Sequence, residues 1–310
     1  MIESIRPLIL LLPPLQKFGG TSLPERLAKA LAQADRGALA AGEEAQLLRY
    51  FKPLPLRLPY APLSRVTDIG LAETRDVQWL RADPAHIRPD INGARLLGIG
   101  RTVGIEQSDV DALLPALRPL FGDLGMLLDA PSPERWYLKL AAGATLPTFA
   151  SPEQALGDDV FEHIPDGPEA RRWRLLLNET QIVLHNHPHN EARLAAGRVP
   201  INSLWFWGGG ALPDSISTSV TQVFSDEAGL RGAARLARIA CGELSDYSAT
   251  PSNVLIDLRQ QRDWAGLIQH WLLPAAHTDA VLDFADGAVF TLRSNQRWRF
   301  WRKPLRTLQG

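Results

Sequence analysis

The stretch Asn178–Gly210, NETQIVLHNHPHNEARLAAGRVPINSLWFWGGG, gathers side chains suited to holding an anion. Arg193 offers a forked cation that matches carboxylate or phosphate. Asn190 and Asn202 offer amide donors. Gly208, Gly209 and Gly210 follow the apolar run Asn202–Trp207, and a glycine loop there would let backbone N–H groups approach an anion closely. In open α/β folds such loops lie beyond the carboxyl ends of strands, where ligands bind. The plainer reading is a tight strand-to-loop turn with the arginine tying down a neighbouring segment.

Three other groupings could carry chemistry. His185, His187 and His189 alternate, so in an extended segment they would point one way as transition-metal ligands do, although Pro188 interrupts the run. His277, Asp279, Asp283 and Asp286 gather around a hairpin signal and read as a solvated turn rather than a metal site. Arg231, Arg235 and Arg238 have the spacing of one helix stripe, which reads as a solvated face or an anion-facing surface. The segment Arg297–Lys303, RWRFWRK, mixes cations and aromatics as a base-stacking surface does; an edge strand guarded by basic residues is the simpler expectation.

The elements that would position these groups follow from pattern. The 310 residues, 45% of them hydrophobic, suffice for one large core or two moderate ones. A net charge of -1 argues against a general polyanion binder, so nucleic acid is not an expected partner. The single Cys241 fits a reducing compartment. Pro7–Leu15 reads as a buried strand ending at Pro13–Pro14 rather than a leader, and no run approaches the ~18 apolar residues of a membrane span. A helix follows over Leu23–Ala34, opened by the capping-box spacing of Ser22 and Glu25.

Prolines 53, 55, 59 and 62 predict an extended loop over Phe51–Ile69. Asn92–Gly93 predicts a hairpin within Trp79–Gly100, Ser108 and Asp111 open a helix, and Gly125–Leu128 and Trp136–Leu140 read as strands. Pro168 suits the first turn of a helix through Thr180. Helices are expected at about Asp226–Gly242 and Trp264–Leu272, and a hairpin at Asp286–Gly287. Trp136, Trp173, Trp205 and Trp207 are suited to core packing.

The pattern His187-Pro188-x-Asn190-x-x-Arg193-x-x-x-Gly197, followed by Pro200-x-Asn202-x-x-Trp205-x-Trp207-Gly208-x-Gly210, resembles the second half of the archaeal-type cofactor-independent phosphoglycerate mutases of the alkaline-phosphatase superfamily. The blocks WLRADPAHIR, PERWYL, LNETQ and NSLWFWGGG more closely resemble a related bacterial group, the RpfE-type regulatory proteins. Together they cover roughly half the chain, and such long blocks are far more specific than a short motif. The resemblance implies an alkaline-phosphatase-like α/β core with a mostly parallel sheet, formed by 1–78 and 201–310, and an inserted α+β module at 79–200. It also implies a ligand set of His187, Asn190, Arg193, Asn202, Trp207, Gly208, Gly209 and Gly210 in the cleft between the two.

The chain departs from the mutase pattern where the metals should be. Pro13–Pro14 stand where a first aspartate ligand belongs, no late Asp–His pair exists, and Ser64 and Thr67 have no visible activating neighbour. The resulting expectation is a cytoplasmic regulatory protein, without metal, other cofactor or membrane partner, that takes a small anionic metabolite or a protein partner. A mutase or phosphatase with an atypical ligand set, and an interaction scaffold, stand as alternatives.

Overall fold

The computed structural model describes residues 7–91, 93–167, 169–248 and 253–309. In chain order it runs β1 (Leu8–Leu12), α1 (Glu25–Gln33), β2 (Asp35–Ala38), α2 (Glu43–Tyr50) and β3 (Phe51–Leu54). Next come α3 (Tyr60–Ile69), β4 (Gln78–Asp90), β5 (Gly93–Ile99), α4 (Gln107–Gly122), β6 (Leu127–Ser132) and β7 (Arg135–Leu140). Two short turns, α5 (Pro152–Ala155) and α6 (Val160–His163), lead to α7 (Ala170–His185), α8 (Pro188–Ala195) and β8 (Ser203–Ala211). The chain then forms β9 (Ser215–Thr218), β10 (Gln222–Phe224), α9 (Ala228–Leu236), β11 (Ala240–Gly242) and β12 (Val254–Asp257). It ends with α10 (Trp264–Leu267), α11 (Leu273–Ala275), β13 (Ala280–Phe284) and β14 (Ala288–Leu292).

Two compact units result, one from residues 1–58 and 213–310 and the other from 59–212. The first is built on a seven-stranded sheet ordered β11-β10-β12-β1-β13-β14-β2. The pairs from β11 to β13 are parallel and the last two are antiparallel, giving a mixed α/β fold with a mostly parallel central sheet. Alternation along the strands sends Leu10, Leu12, Ile256, Leu282 and Phe284 into one core with Leu27 and Leu31 of α1. The opposite face carries Leu11, Asp257 and Asp283. The Asp286–Gly287 turn joins β13 and β14 as expected; Gly287, at φ 91°, supplies the positive dihedral it needs.

The second unit is an antiparallel sheet centred on β4, which pairs with β5, β7 and β8. Its core joins Leu113, Leu117 and Phe121 of α4 to Trp173, Leu176 and Leu184 of α7 and to Leu204 and Phe206 of β8.

The structure revises several expectations. The unit boundaries fall at 58/59 and 212/213 rather than at 78/79 and 200/201. Residues 203–211, assigned from sequence to the core, form the strand that pairs with β4. Phe51–Ile69 is not one extended loop: β3 is followed by α3, with Pro62 in its first turn, where a missing N–H is tolerated. The helix expected at 226–242 ends at Leu236, and 240–242 return as edge strand β11. Helix α1 starts at Glu25 behind Pro24, and no side chain caps it. The hairpin residue Asn92 and the helix-start residue Pro168 lie outside the described residues.

Candidate functional site

In the first unit the chemistry gathers at the carboxyl ends of the parallel strands. Leu11 of β1 is in register with Asp257 on one neighbouring strand and with Asp283 on the other, so two carboxylates flank β1 on one face. Both are buried. Asp257 is held by Arg259, whose Nε donates to Oδ1 and Nη2 to Oδ2, each at 2.8 Å. The Ser225 hydroxyl donates to Oδ2 at 2.8 Å, and Arg259 also reaches Glu43 of α2 at 3.2 Å. Burial alone would raise the pKa of Asp257, but the Arg259 charge and hydrogen bonds, with Ser225, hold it below the usual carboxylate value.

Asp283 is met by three residues of α2. The Arg49 guanidinium pairs with Oδ1, the Tyr50 hydroxyl donates to Oδ2 at 2.7 Å, and Gln46 Nε2 donates to the Asp283 carbonyl at 2.6 Å. Burial, then the Asp283 charge and hydrogen bond, push the Tyr50 phenol well above its ordinary value, so it stays a donor. Gln46 also donates to the carbonyl of Leu12, tying α2 to the end of β1. No group of three or more His, Cys, Asp or Glu suited to a metal ion occurs among the described residues.

In the second unit, Arg193 is 2% exposed and points inward. Its Nη1 donates to Asp109 at 2.6 Å, Nη2 to the Val103 carbonyl at 2.8 Å and Nε to the Val199 carbonyl at 2.9 Å. Asp109 also receives His189 Nε2 at 2.6 Å and Arg198 Nη2 at 2.8 Å. Burial by itself would raise the pKa of Asp109, but the hydrogen bonds from His189, the Glu106 N–H and Arg193 hold it below the ordinary value. Asn190 bridges the carbonyls of Leu184 and Ile201 and accepts from the Ile201 N–H. Asn202 makes a two-way amide pair with the backbone of Ile87. His187 caps α8 by accepting from the His189 N–H.

Trp207 Nε1 donates to Asp83 at 2.7 Å, inside a buried cluster where Arg81 grips the same carboxylate. Ser64, once a nucleophile candidate, lies in this cluster fully buried, receiving Arg81 and lying 2.9 Å from the Tyr137 hydroxyl.

The glycine loop expected at Gly208–Gly210 is instead the continuation of β8. A Cβ on Gly208 would lie 2.9 Å from Tyr60 Cβ, and one on Gly210 would lie 2.9 Å from Pro59 Cβ, so these glycines admit the chain entering α3. His185 ends α7 while His189 lies inside α8, so the three histidines do not share an extended strand. The arginine stripe is also broken. Arg231 turns in to the Ser225 carbonyl at 2.6 Å, and Arg238 lies past the end of α9 at φ 59°. In the acidic group, Asp279 accepts from the Ser294 N–H and Asp286 from the Leu15 N–H, so both serve turns.

A cavity of about 550 Å³ opens within the second unit between α7 and β4–β5. Ile87, Ile164 and Leu177 give it an apolar wall, while Asn178, Gln181 and His185 give it a polar one. Asn202 is the one residue of the expected ligand set that lines it. Sequence reasoning missed this wall, although Asn178, Gln181 and His185 stand at i, i+3 and i+7, one stripe of a helix. It also missed Arg259, although Asp257-x-Arg259 at a strand end puts both side chains on one side.

No protein-family model matches the chain. It is 41% identical over 86 residues to a probable 2,3-bisphosphoglycerate-independent phosphoglycerate mutase of Geobacter sulfurreducens, covering 28% of this chain and 20% of that protein. It is 29% identical over 130 residues to 2,3-bisphosphoglycerate-independent phosphoglycerate mutase 2 of Methanothermobacter thermautotrophicus, covering 42% of this chain and 31% of that one. The matched stretches thus span less than a third of these relatives' own length. Among solved structures, a cofactor-independent phosphoglycerate mutase from Thermoplasma acidophilum aligns over 94% of this chain and 90% of its own at 16% identity and a TM-score of 0.41. The PH0037 protein from Pyrococcus horikoshii aligns over 93% and 88% at 14% identity and 0.45.

Proposed function

We propose that this chain is a regulatory, ligand-binding relative of the cofactor-independent phosphoglycerate mutases whose metal-binding position is taken by arginine. The observation that carries this reading is the Asp257–Arg259 pair at the carboxyl end of β12. Two-metal phosphoryl transfer needs strand-end carboxylates free to hold divalent cations. Here the two carboxylates beside β1 already have guanidinium partners, and β1 leads into Pro13–Pro14, whose side chains carry no ligating atom. A cation at Asp257 would have to displace a guanidinium that is itself 2% exposed, leaving that charge buried without its partner. The donor set therefore suits arginine and does not fit a metal pair.

The regulatory part rests on the resemblance to the RpfE-type proteins, and the ligand part on the cavity between α7 and β4–β5. Its volume lies within the ~300–1,000 Å³ of small-molecule sites. The ligand that suits it has an apolar body against Ile87, Ile164 and Leu177 and a polar or anionic head toward Asn178, Gln181 and His185. In this reading the anionic metabolite expected from sequence binds at that polar wall rather than at Arg193.

A second reading, an active mutase with an atypical ligand set, is favoured by the 41% identical stretch. One experiment separates the two. Purified protein is assayed for interconversion of phosphoglycerates with manganese, magnesium or zinc, and its melting temperature is screened against small carboxylates and phosphate esters. The proposal expects no turnover with any metal and at least one saturable shift, worth ~2.7 kcal/mol at a hundredfold excess of ligand over Kd. That shift should be lost in Gln181→Leu/His185→Leu. Metal-dependent turnover abolished by Asp257→Asn would establish the second reading instead.

A further inference from the structure

Beyond β14 the chain turns through a short 3-10 segment, Ser294–Trp298, rather than the guarded edge strand expected from sequence. Three large aromatic side chains here face solvent: Trp298 at 60%, Phe300 at 83% and Trp301 at 59% exposure. They form one patch, with ring centroids 5.0 Å apart for Trp298–Trp301 and 5.7 Å for Phe300–Trp301. Burying such rings is the largest favourable term a side chain offers, so leaving three together in water calls for a reason. The patch is also held in place. Arg302 donates to the carbonyls of Ala32 and Ala34 at the end of α1, and Arg299 donates to the Gln33 carbonyl and to Asp35. With those arginines anchoring the segment, the rings are presented from an ordered turn.

We infer that this patch docks the protein peripherally onto an anionic lipid surface. Residues 293–310 contain six Arg or Lys and no Asp or Glu, and Arg297, Lys303 and Arg306 are exposed in the same segment as the rings. Cations beside interfacial aromatics match a headgroup region, where ring bodies enter the acyl boundary and the charges meet anionic lipids. Three other occupants fit less well. Single-stranded nucleic acid stacks on open ring faces, but here the rings pack on one another and Arg299 lies over Trp298 at 5.7 Å. A second copy of the chain would bring like charges together. An acidic protein would satisfy the cations, but its docking would rest on these rings as a buried interface centre, and the cations would then lie at the rim, where charge pairs contribute little. No helix among the described residues is long and apolar enough to cross a membrane.

The test uses the full chain with vesicles of phosphatidylcholine alone and vesicles also carrying phosphatidylserine, read by co-sedimentation. Partition onto the anionic vesicles should be at least about tenfold stronger and should weaken with added salt. It should fall to background in Trp298→Ser/Phe300→Ser/Trp301→Ser and drop about tenfold or more in Arg297→Glu/Lys303→Glu, with melting curves unchanged because all five side chains are exposed. Equal partition onto both vesicle types would overturn the inference. So would tighter binding of the wild type to an oligothymidylate than to the vesicles, lost in the same aromatic variant.

Discussion

Arg259 faces Asp257 fork to fork: two parallel hydrogen bonds of 2.8 Å close a pair that is buried on both sides. The two residues are separated by one position at the end of a parallel strand, so the strand that supplies the carboxylate also delivers its neutralising cation. Such bidentate pairs combine charge with fixed geometry, which a lysine would not reproduce.

The first expected outcome concerns that pair. Arg259→Met should lower stability by about 3–5 kcal/mol, because it strands a buried carboxylate. Arg259→Met combined with Asp257→Leu should recover most of the loss, since well-packed apolar replacements of a buried ion pair are often neutral. Urea unfolding midpoints of the two variants measure this directly. Equal losses in single and double variants would show that the pair's role lies in packing.

The pH dependence of stability follows from the same groups. Asp257 and Asp109 are both held below the ordinary carboxylate value when folded. The unfolded chain therefore binds more protons as pH falls past ~3.9, and stability is lost downward from there. Above that range these two residues contribute their full share. Guanidinium unfolding at stepped pH should show a steep acid limb, flattened in Asp109→Asn. An acid limb of the same steepness in that variant would assign the effect to other carboxylates.

Much of the fold was legible because it rests on local pattern. Leu8–Leu12, the Asp286–Gly287 hairpin and the α7 periodicity each declare themselves within a short window. What was not legible was which partner each polar residue meets. Arg193 and Asp109 are 84 positions apart, and nothing near Arg193 shows that a carboxylate from the start of α4 will consume its charge. The three glycines, read as a loop and found in β8, were ambiguous for a related reason. Glycine permits close approach, but sequence does not say whether an anion or side chains such as Pro59, Tyr60 and Leu146 do the approaching.

That distinction is measurable at Gly208. Its φ of 66° already disfavours a side chain, and an added Cβ meets Tyr60 Cβ at 2.9 Å and the Ala61 nitrogen at 3.3 Å. Gly197 has a similar φ of 72° but open space around its Cβ position. Gly197→Ala should therefore cost only the backbone term, about 1–2 kcal/mol, while Gly208→Ala should cost a further 1–3 kcal/mol or so. Thermal melts of the two variants side by side give the comparison, and equal losses would mean that α3 yields without penalty.

Arg193 gives the last test, because its two readings make opposite demands. As a ligand contact it could be removed at little cost to the fold. As an internal tie it secures α4, through Asp109, to α8 and to the carbonyls of Val103 and Val199. Arg193→Ala is expected to lower stability by about 3 kcal/mol, the low end for a broken buried pair, since Arg198 and His189 still reach Asp109. Arg193→Lys should recover only part of this, because an ammonium cannot span a carboxylate and two carbonyls at once. Arg198→Ala, whose side chain is 30% exposed, should cost less than Arg193→Ala, because Arg193 and His189 still hold Asp109. Unfolding free energies for the three variants decide the matter. An Arg193→Ala protein as stable as the wild type would return the residue to the list of ligand contacts.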